Sequence, residues 1–164
     1  MTAQVDVQVG TDDRSVPDSD DITVWVSRAL RAAGKSDEAE VSVRVVDATE
    51  MQKLNCEFRD QDKPTNVLSF PAGDIDGLPS DEGLPLGDIV VCAAVVRREA
   101  DEWGKAVADH WAHMMVHGTL HLLGFDHEND GDAAAMEGLE IQILTDHGVA
   151  NPYAVSLGES PEEN

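Results

Sequence analysis

Three histidines fall between positions 117 and 127, and their spacing suits a single metal ion. His117 and His121 are four residues apart, which on an α-helix places them on one face, about 6 Å apart along the axis. Zinc holds an imidazole nitrogen at about 2.0–2.1 Å, so two such side chains can meet at one ion. Gly124 can adopt the left-handed conformation that ends a helix, and the returning chain would bring His127 to the same ion. Three histidines leave one position for water or substrate, as in a catalytic zinc site.

Two other interpretations of this pattern stay open. In the His-Glu-x-x-His motif of metallopeptidases the glutamate is the general base, and here that position is Gly118. Gly124 and His127 stand where the longer metzincin pattern has a glycine and a third histidine. A zinc peptidase or amidohydrolase is therefore an alternative, although it would lack its usual base. The second interpretation is structural, a helix whose partly buried histidines bond to carbonyl or carboxylate oxygens, and this spacing favours it less than a metal site.

Residues 117–127 read His-Gly-x-Leu-His-Leu-x-Gly-x-Asp-His, which resembles the signature of the YbeY family, bacterial metal-dependent endoribonucleases of ribosomal RNA maturation. Residues 55–59 are similar to the family's Asn-x-x-Phe-Arg, and residues 86–89 to its Leu-Gly-Asp-Ile. Residues 64–71 are similar to Pro-Thr-Asp-Val-Leu-Ser-Phe-Pro, except that Asn66 replaces the aspartate. Asn66 keeps a turn-capping acceptor but removes a charge, so we assign it no ionic role. The resemblance covers most of residues 40 to 145.

The resemblance implies a zinc-dependent endoribonuclease that acts on single-stranded regions of ribosomal RNA, in 3′ end processing of the small-subunit RNA and in ribosome quality control. It implies one Zn²⁺ ion held by His117, His121 and His127, with His117 also counted as catalytic. The expected partners are ribosomal RNA and ribosomal proteins or assembly factors, with no membrane and no DNA. A further alternative is a non-catalytic ribosome assembly factor in which the metal mainly folds the domain.

Arg59 is the second residue to which the resemblance assigns a catalytic role. In the family the matching arginine faces the metal cleft, where a guanidinium can stabilise charge that develops on phosphate oxygens. The alternative is a surface arginine that pairs with a nearby acid: Glu57, Asp60 or Asp62.

Charge restricts how this chain could bind RNA. The 164 residues contain 11 Lys and Arg against 33 Asp and Glu, a formal net charge of −22. Such a surface repels polyanions and argues against a broad interface that follows the phosphates. An RNA enzyme with this balance must concentrate positive charge locally, in a metal ion and the few arginines and lysines near it. The acidic surface also suits basic protein partners such as ribosomal proteins.

Composition predicts a cytoplasmic protein. The longest apolar run, residues 89–96, is far shorter than the ~20 residues needed to cross a bilayer. The N-terminus has no basic region followed by an apolar one, as a signal peptide would. Two cysteines are too few for a disulfide framework, so we expect reduced thiols.

Hydrophobic periodicity predicts both strands and helices. Together with the resemblance, this implies an α+β fold, a zincin-like single domain with a small mixed sheet of about four strands packed by helices, and with the metal site on a long helix. Residues 1–150 would form this metal-dependent hydrolase domain, and residues 151–164 an acidic, disordered tail. We expect a long loop over residues 71–87 and the metal helix over about residues 105–123. The other expected elements are strands within 2–9, 41–45, 67–70 and from 86, and four helices, which carry residues 22–33, 51–58, 97–99 and 136–144.

Two aspartates have open roles. Asp88 either accepts a hydrogen bond from a metal-bound imidazole or is a turn residue at the start of a strand. Asp126 either acts as the general base or orients the adjacent His127.

The remaining histidines are not expected to bind the metal. His113 lies one turn before His117, but it would stand about 12 Å from His121 along the helix axis. We therefore expect His113 to orient a neighbour or to form a hydrogen bond. His110 and His147 are expected on the surface, without a role. Met136 would either lie under the metal site or pack in the core.

Overall fold

Four strands and five helices make up the described part of the chain, in the order β1-α1-β2-α2-β3-β4-α3-α4-α5. The structure is a computed structural model that describes residues 4–34, 39–71, 84–125 and 130–152. The strands are β1 (Gln4–Val9), β2 (Ala39–Val46), β3 (Val67–Pro71) and β4 (Leu84–Cys92). The helices are α1 (Ser19–Ala32), α2 (Ala48–Arg59), α3 (Ala93–Glu102), α4 (Val107–Leu122) and α5 (Asp130–Asp146). The predicted α+β class and small mixed sheet are confirmed.

The four strands form one sheet in the order β1-β2-β4-β3. Strands β1, β2 and β4 are parallel, and β3 joins β4 antiparallel, with Ser69 opposite Ile89. Successive side chains along a strand point to opposite faces. The alternating valines at 41, 43 and 45 therefore share one buried face of the sheet, as the sequence pattern predicts.

Helices cover both faces of this sheet. Helices α1 and α4 pack on the face that carries Val43 and Ile89, and Trp111 of α4 lies in the same core. Helix α2 and the start of α3 pack on the other face, where Met51 contacts the cluster that includes Leu68. Helix α5 packs against α1 and α4 rather than on the sheet. The metal helix of the sequence analysis is thus α4, held between the sheet and two other helices.

The beginning of α2 shows how local sequence sets an element. The Asp47 carboxylate accepts a hydrogen bond from the Glu50 backbone N–H at 2.8 Å. This contact satisfies one of the donors that a helix N-terminus leaves without a backbone partner. The helix then ends after Arg59, where Asp60 adopts φ 61°. The end of α2 places Phe58 and Arg59 beside strand β3.

Strands occupy both ends of the segment expected to be a loop, residues 71–87. Pro71 still belongs to β3, and β4 begins at Leu84, which pairs with Ala39 of β2. The pairing register shifts between Glu40 and Val41, whose partners Pro85 and Gly87 leave Leu86 of β4 as an extra residue. Residues 72–83, together with all of the expected tail after residue 152, lie outside the described residues.

No helix in the described ranges is both long and apolar enough to cross a bilayer.

Candidate metal centre

Helix α4 carries four histidines in a row. The ring centroids of His110 and His113 are 6.2 Å apart, those of His113 and His117 are 6.0 Å apart, and those of His117 and His121 are 4.6 Å apart. The shortest separation belongs to the pair that the sequence predicts to share a metal. His117 and His121 are also both partly exposed, whereas His110 and His113 are buried.

Glu140 of α5 brings a carboxylate to this row. Its Oε2 atom lies 2.6 Å from His117 Nδ1 and 3.6 Å from His113 Nε2, and the residue is 0% exposed. Burial alone would raise the pKa of Glu140, but the imidazoles of His113 and His117 outweigh burial and lower its pKa below the ordinary 4.5. Burial lowers the pKa of His113, and Glu140 only partly offsets that effect. Glu140 is therefore ionised at neutral pH beside a neutral His113.

The contact between Glu140 and His117 sets the tautomer of the His117 ring. An ionised carboxylate only accepts hydrogen bonds, so Nδ1 of His117 must carry the proton. Nε2 is then the nitrogen that offers a lone pair. Metal-bound histidines typically donate their other N–H to a carboxylate in this way, which orients the ring and raises its basicity. The donor set around His117 therefore fits a metal such as zinc.

A second combination of donors also lies in the structure. Three possible ligand atoms, one each from His113, His117 and Glu140, lie within 4.8 Å of one another, close enough to hold a metal ion. This group shares His117 with the predicted set of three histidines. The structure thus identifies a place between α4 and α5 that can hold a metal, with His117 at its centre.

The turn after α4 follows the predicted course as far as the structure describes it. Gly124 has φ 101°, a left-handed conformation that side chains disfavour, and its backbone N–H donates to the His121 carbonyl at 3.0 Å. The chain therefore leaves the helix directly after His121. Asp126 and His127 themselves lie outside the described residues.

Gly118 explains why no glutamate follows His117. A Cβ atom at position 118 would lie 3.0 Å from Ile89 Cγ2 and 3.3 Å from Ser69 Oγ, because α4 crosses the sheet closely at this point. The Ser69 hydroxyl also donates to the Gly118 carbonyl at 2.9 Å. Position 118 therefore faces the sheet and leaves no space for the base of a His-Glu-x-x-His peptidase.

Arg59 does not form the surface ion pair that was its alternative interpretation. Its Nη2 donates to the Ser69 carbonyl at 2.9 Å, and its Nη1 to the Phe58 carbonyl at 3.2 Å. The guanidinium carbon also lies 5.0 Å from the centroid of the Phe70 ring. Within the ranges that the structure describes, no carboxylate is paired with this side chain. Ser69 contacts both Arg59, through its carbonyl, and Gly118, through its hydroxyl. Ser69 thus links the guanidinium to the residue that follows His117.

Asp88 points away from the helix that carries His117 and His121. Its neighbour Ile89 contacts the α4 face of the sheet at Gly118, and side chains alternate along β4. The Asp88 carboxylate therefore points to the opposite face and is exposed. Asp88 also lies inside β4 rather than at its start, so the expectation of a turn residue at a strand start is wrong. A contact of Asp88 with His127 lies outside the described residues.

The prediction that His110 is a surface residue is also wrong. It is buried, and its Nε2 lies 2.9 Å from Glu99 Oε1. Asn66 donates to both oxygens of the same carboxylate, at 3.0 and 3.3 Å, and its Oδ1 accepts from the Val67 N–H. The expected capping acceptor is therefore present, and the amide adds a donor that an aspartate would lack. Sequence periodicity missed the burial of His110 because its partner, the half-buried Glu99, lies on another helix, α3.

Glu140 is the site residue that sequence reasoning missed. The signal was nevertheless present, because Glu140 shares a helical face with Met136, Ile143 and Leu144, all of them buried. An acid within an apolar stripe is costly unless it is paired, so its presence predicts a specific partner. Met136 itself packs with Ala112, Val116 and Leu120 in the core.

The fold and this centre define a class: an α+β domain whose long helix presents histidines that a buried carboxylate orients, as in metal-dependent hydrolases. The profile of the family described as Endoribonuclease YbeY matches residues 6–148. The chain therefore belongs to the endoribonuclease YbeY family, and the predicted family and enzyme class, a hydrolase of phosphodiester bonds in RNA, are confirmed.

Individual relatives agree with this assignment. A protein named Endoribonuclease YbeY from Alkalilimnicola ehrlichii is 58% identical over 79% of this chain and 77% of its own length. Its namesake from Alcanivorax borkumensis is 48% identical over 97% of this chain and 91% of its own length. The solution structure of TM1509 from Thermotoga maritima covers 96% of this chain and 100% of its own, with 23% identity and a TM-score of 0.56. That likeness supports the fold.

Proposed function

We propose that this chain is a zinc-dependent endoribonuclease that cleaves single-stranded regions of ribosomal RNA in the cytoplasm. Its roles would be 3′ end processing of the small-subunit RNA and ribosome quality control, with ribosomal proteins or assembly factors as partners. Family membership supports the RNA-cleaving activity. The observation that carries the metal dependence is the 2.6 Å contact between Glu140 and His117, because this contact orients an imidazole as a metal ligand.

We assign one zinc ion to His117, His121 and His127 rather than to the group that contains Glu140. Two ligand atoms of one tetrahedral zinc, each about 2.0–2.1 Å from the ion, stand roughly 3.3 Å apart. The 2.6 Å separation of Glu140 Oε2 and His117 Nδ1 is instead the length of a charge-assisted hydrogen bond. Glu140 is also fully buried, whereas a catalytic ion needs an open position for substrate.

The residues of the chain would divide the reaction between them. Glu140 would keep the proton of His117 on Nδ1 and so leave Nε2 as the nitrogen that can bind a metal. A zinc ion held there would supply Lewis acidity and would lower the pKa of a water molecule to about 7. Arg59 would bind phosphate oxygens and stabilise the charge that develops on them. Asp126, adjacent to His127, is the candidate for the general base, since Gly118 cannot fill that role.

The position of Arg59 supports its assignment as a catalytic residue. Its side chain is exposed, and its two hydrogen bonds go to backbone carbonyls, so the positive charge is not neutralised there. By contrast, Arg97 pairs with Asp13 at 2.9 Å and Arg98 lies 3.8 Å from Glu102. Arg59 can therefore offer a net positive charge to a phosphate in a chain of charge −22.

Zinc affinity of single histidine variants tests the ligand set. We expect His121→Ala and His127→Ala to lose tight binding of one zinc per chain, whereas His113→Ala keeps most of it. His147→Ala, an exposed histidine that packs on Trp25, is the matched control and should bind as wild type does. Competition with a chromophoric chelator measures all four variants. Loss of zinc in His113→Ala together with normal binding in His127→Ala would instead favour the ligand group of His113, His117 and Glu140.

The net charge favours one further candidate, a metal-stabilised assembly factor that does not cleave RNA. A chain of charge −22 suits basic protein partners. This function predicts that a folded variant without zinc still supports ribosome assembly in cells. The endoribonuclease predicts that such a variant fails.

A further inference from the structure

An aromatic pair lies beside Arg59 at one edge of the sheet, and one of its two rings is exposed. Phe58, near the end of α2, is 52% exposed. Its ring meets that of Phe70 edge to face, with centroids 5.3 Å apart at 68°. The Arg59 guanidinium carbon lies 5.0 Å from the centroid of the Phe70 ring. We name Phe58, Arg59 and Phe70 the edge patch.

The edge patch lies on the α2 side of the sheet, and its Arg59 is linked to the metal helix through Ser69. Arg59 donates to the Ser69 carbonyl on β3, which is one of the two outer strands of the described sheet. The Ser69 hydroxyl in turn donates to Gly118, the residue after His117. Phe70 packs on the cluster under α2 and Phe58 packs against Phe70, so a ligand that stacks on this pair freezes few additional rotamers.

We propose that the edge patch is a nucleobase subsite, in which an unpaired base of the RNA stacks on Phe58 while Arg59 holds the neighbouring phosphate. This inference rests on the role of Arg59 in the proposed function. Stacking of bases on aromatic side chains is how proteins hold single-stranded nucleic acid without reading its sequence. It also supplies affinity without cations, which matters for a chain whose net charge is −22.

Trp103 shows that exposure alone does not define such a subsite. It is 50% exposed, lies 5.5 Å from Lys105 Nζ, and packs edge-on against His110. However, Lys105 donates to the Pro152 carbonyl, and burial lowers the pKa of this lysine. Trp103 also contacts neither β3 nor Gly118 among the described contacts. It therefore serves as the matched control for Phe58.

Binding of two oligonucleotides by the zinc-loaded protein tests the proposal. One is a 2′-O-methyl oligouridylate of about eight nucleotides, and the other has the same backbone with abasic spacers in place of the bases. We expect Phe58→Ala to weaken binding of the base-bearing oligomer by about 5- to 150-fold, the range found for one lost stacking contact. Binding of the abasic oligomer should change by less than about twofold, since that oligomer has no base to stack.

Two further variants sharpen the comparison. Phe58→Trp should keep the affinity for the base-bearing oligomer, and its added tryptophan fluorescence should be quenched on binding. Trp103→Ala should bind both oligomers as wild type does. Circular dichroism and zinc content establish that each variant is folded, as expected for changes at half-exposed positions.

Three results would overturn the subsite. The first is a Phe58→Ala variant whose affinity changes equally for both oligomers, or for neither. The second is a Trp103→Ala variant that loses as much affinity for the base-bearing oligomer as Phe58→Ala does. The third is wild-type protein that does not prefer the base-bearing oligomer. Binding is measured without cleavage, so failure of the subsite can be distinguished from failure of the proposed function. Base-dependent binding without RNA cleavage would retain the subsite and reject the nuclease. Cleavage without base-dependent binding would retain the nuclease and reject the subsite.

Discussion

Glu140 and His117 form the pair on which the metal centre depends. A fully buried carboxylate is strongly unfavourable unless charged or hydrogen-bonding partners surround it. Here two imidazoles of α4 supply those partners at 2.6 and 3.6 Å. The same contact joins α5 to α4, so one residue both holds the helices together and orients a metal ligand.

We expect Glu140→Gln to weaken zinc binding without abolishing it. The amide oxygen can still accept from His117 Nδ1, but it lacks the charge that makes the ring a stronger donor to the metal. Changes of this kind typically cost 10- to 100-fold in metal affinity. Competition with a chromophoric chelator measures the change, and Glu137→Gln, one turn earlier on α5, is the control and should have no effect. Unchanged affinity in Glu140→Gln would reject the positioning role, and loss as complete as in His117→Ala would make Glu140 a ligand.

At the scale of single residues, the sequence predicts the features that depend on residues close to one another in the chain. His117 and His121 approach each other as a separation of four on a helix requires. Gly124 adopts the predicted left-handed turn. The role of Glu140 and the burial of His110 were not predicted, because each involves a pair between a histidine of α4 and a carboxylate on another helix. Such pairings follow from tertiary packing rather than from periodicity.

Helix α4 reaches the sheet closely only because position 118 has no side chain. We expect Gly118→Ala to be less stable than Gly138→Ala by about 1–3 kcal/mol in free energy of unfolding, the usual cost of overpacking. Both variants gain helix propensity, worth roughly 1 kcal/mol. A Cβ at 118 meets Ile89 at 3.0 Å, whereas one at 138 has nothing within 4 Å. Urea unfolding measures the difference, and equal stabilisation of both variants would show that the sheet does not restrict position 118.

Asp13 connects the segment before α1 to α3, and its contribution to stability should depend on pH. Hydrogen bonds from Ser15, together with Arg97, lower the pKa of the Asp13 carboxyl from 3.8 to about 2 against the opposing effect of burial. A carboxyl whose pKa is lower in the folded state stabilises the fold above its unfolded pKa. This stabilisation is complete above about pH 4 and is lost as the pH falls toward 2.

The measurement is the stability of wild type and Asp13→Asn without metal, from pH 7 down to pH 2. We expect the wild type to be more stable at neutral pH and the difference to shrink below pH 4. Glu102→Gln, which removes an exposed acid 3.8 Å from Arg98, is the control and should follow the wild type at every pH. A difference between wild type and Asp13→Asn that stays constant with pH would contradict the assignment.

Among the elements, the existence and type of the strands and helices followed from periodicity and caps. The order β1-β2-β4-β3 did not. Strand order depends on contacts between residues far apart in the chain, such as Ala39 with Leu84. The same pairing makes β4 begin before the predicted end of the preceding loop.

For the whole molecule, the net charge of −22 predicts an unusual dependence on salt. Proteins that follow phosphates with lysines and arginines bind RNA more weakly as salt rises. Here the long-range force between chain and RNA is repulsive, and salt screens it over about 10 Å at 0.1 M. We expect kcat/KM on a single-stranded RNA to rise between about 0.02 and 0.15 M salt. A steep fall over this range would mean that a basic interface dominates binding.

The most direct test of the central claim is cleavage of a precursor small-subunit ribosomal RNA 3′ fragment by zinc-loaded wild type and by folded His117→Ala, purified identically. We predict specific cleavage by the wild type that disappears in the variant, because His117 is common to both metal groups that the site offers. Equal cleavage by both proteins would contradict a metal-dependent nuclease centred on His117. Cleavage by neither, with ribosome assembly still supported in cells, would replace the nuclease with the assembly factor.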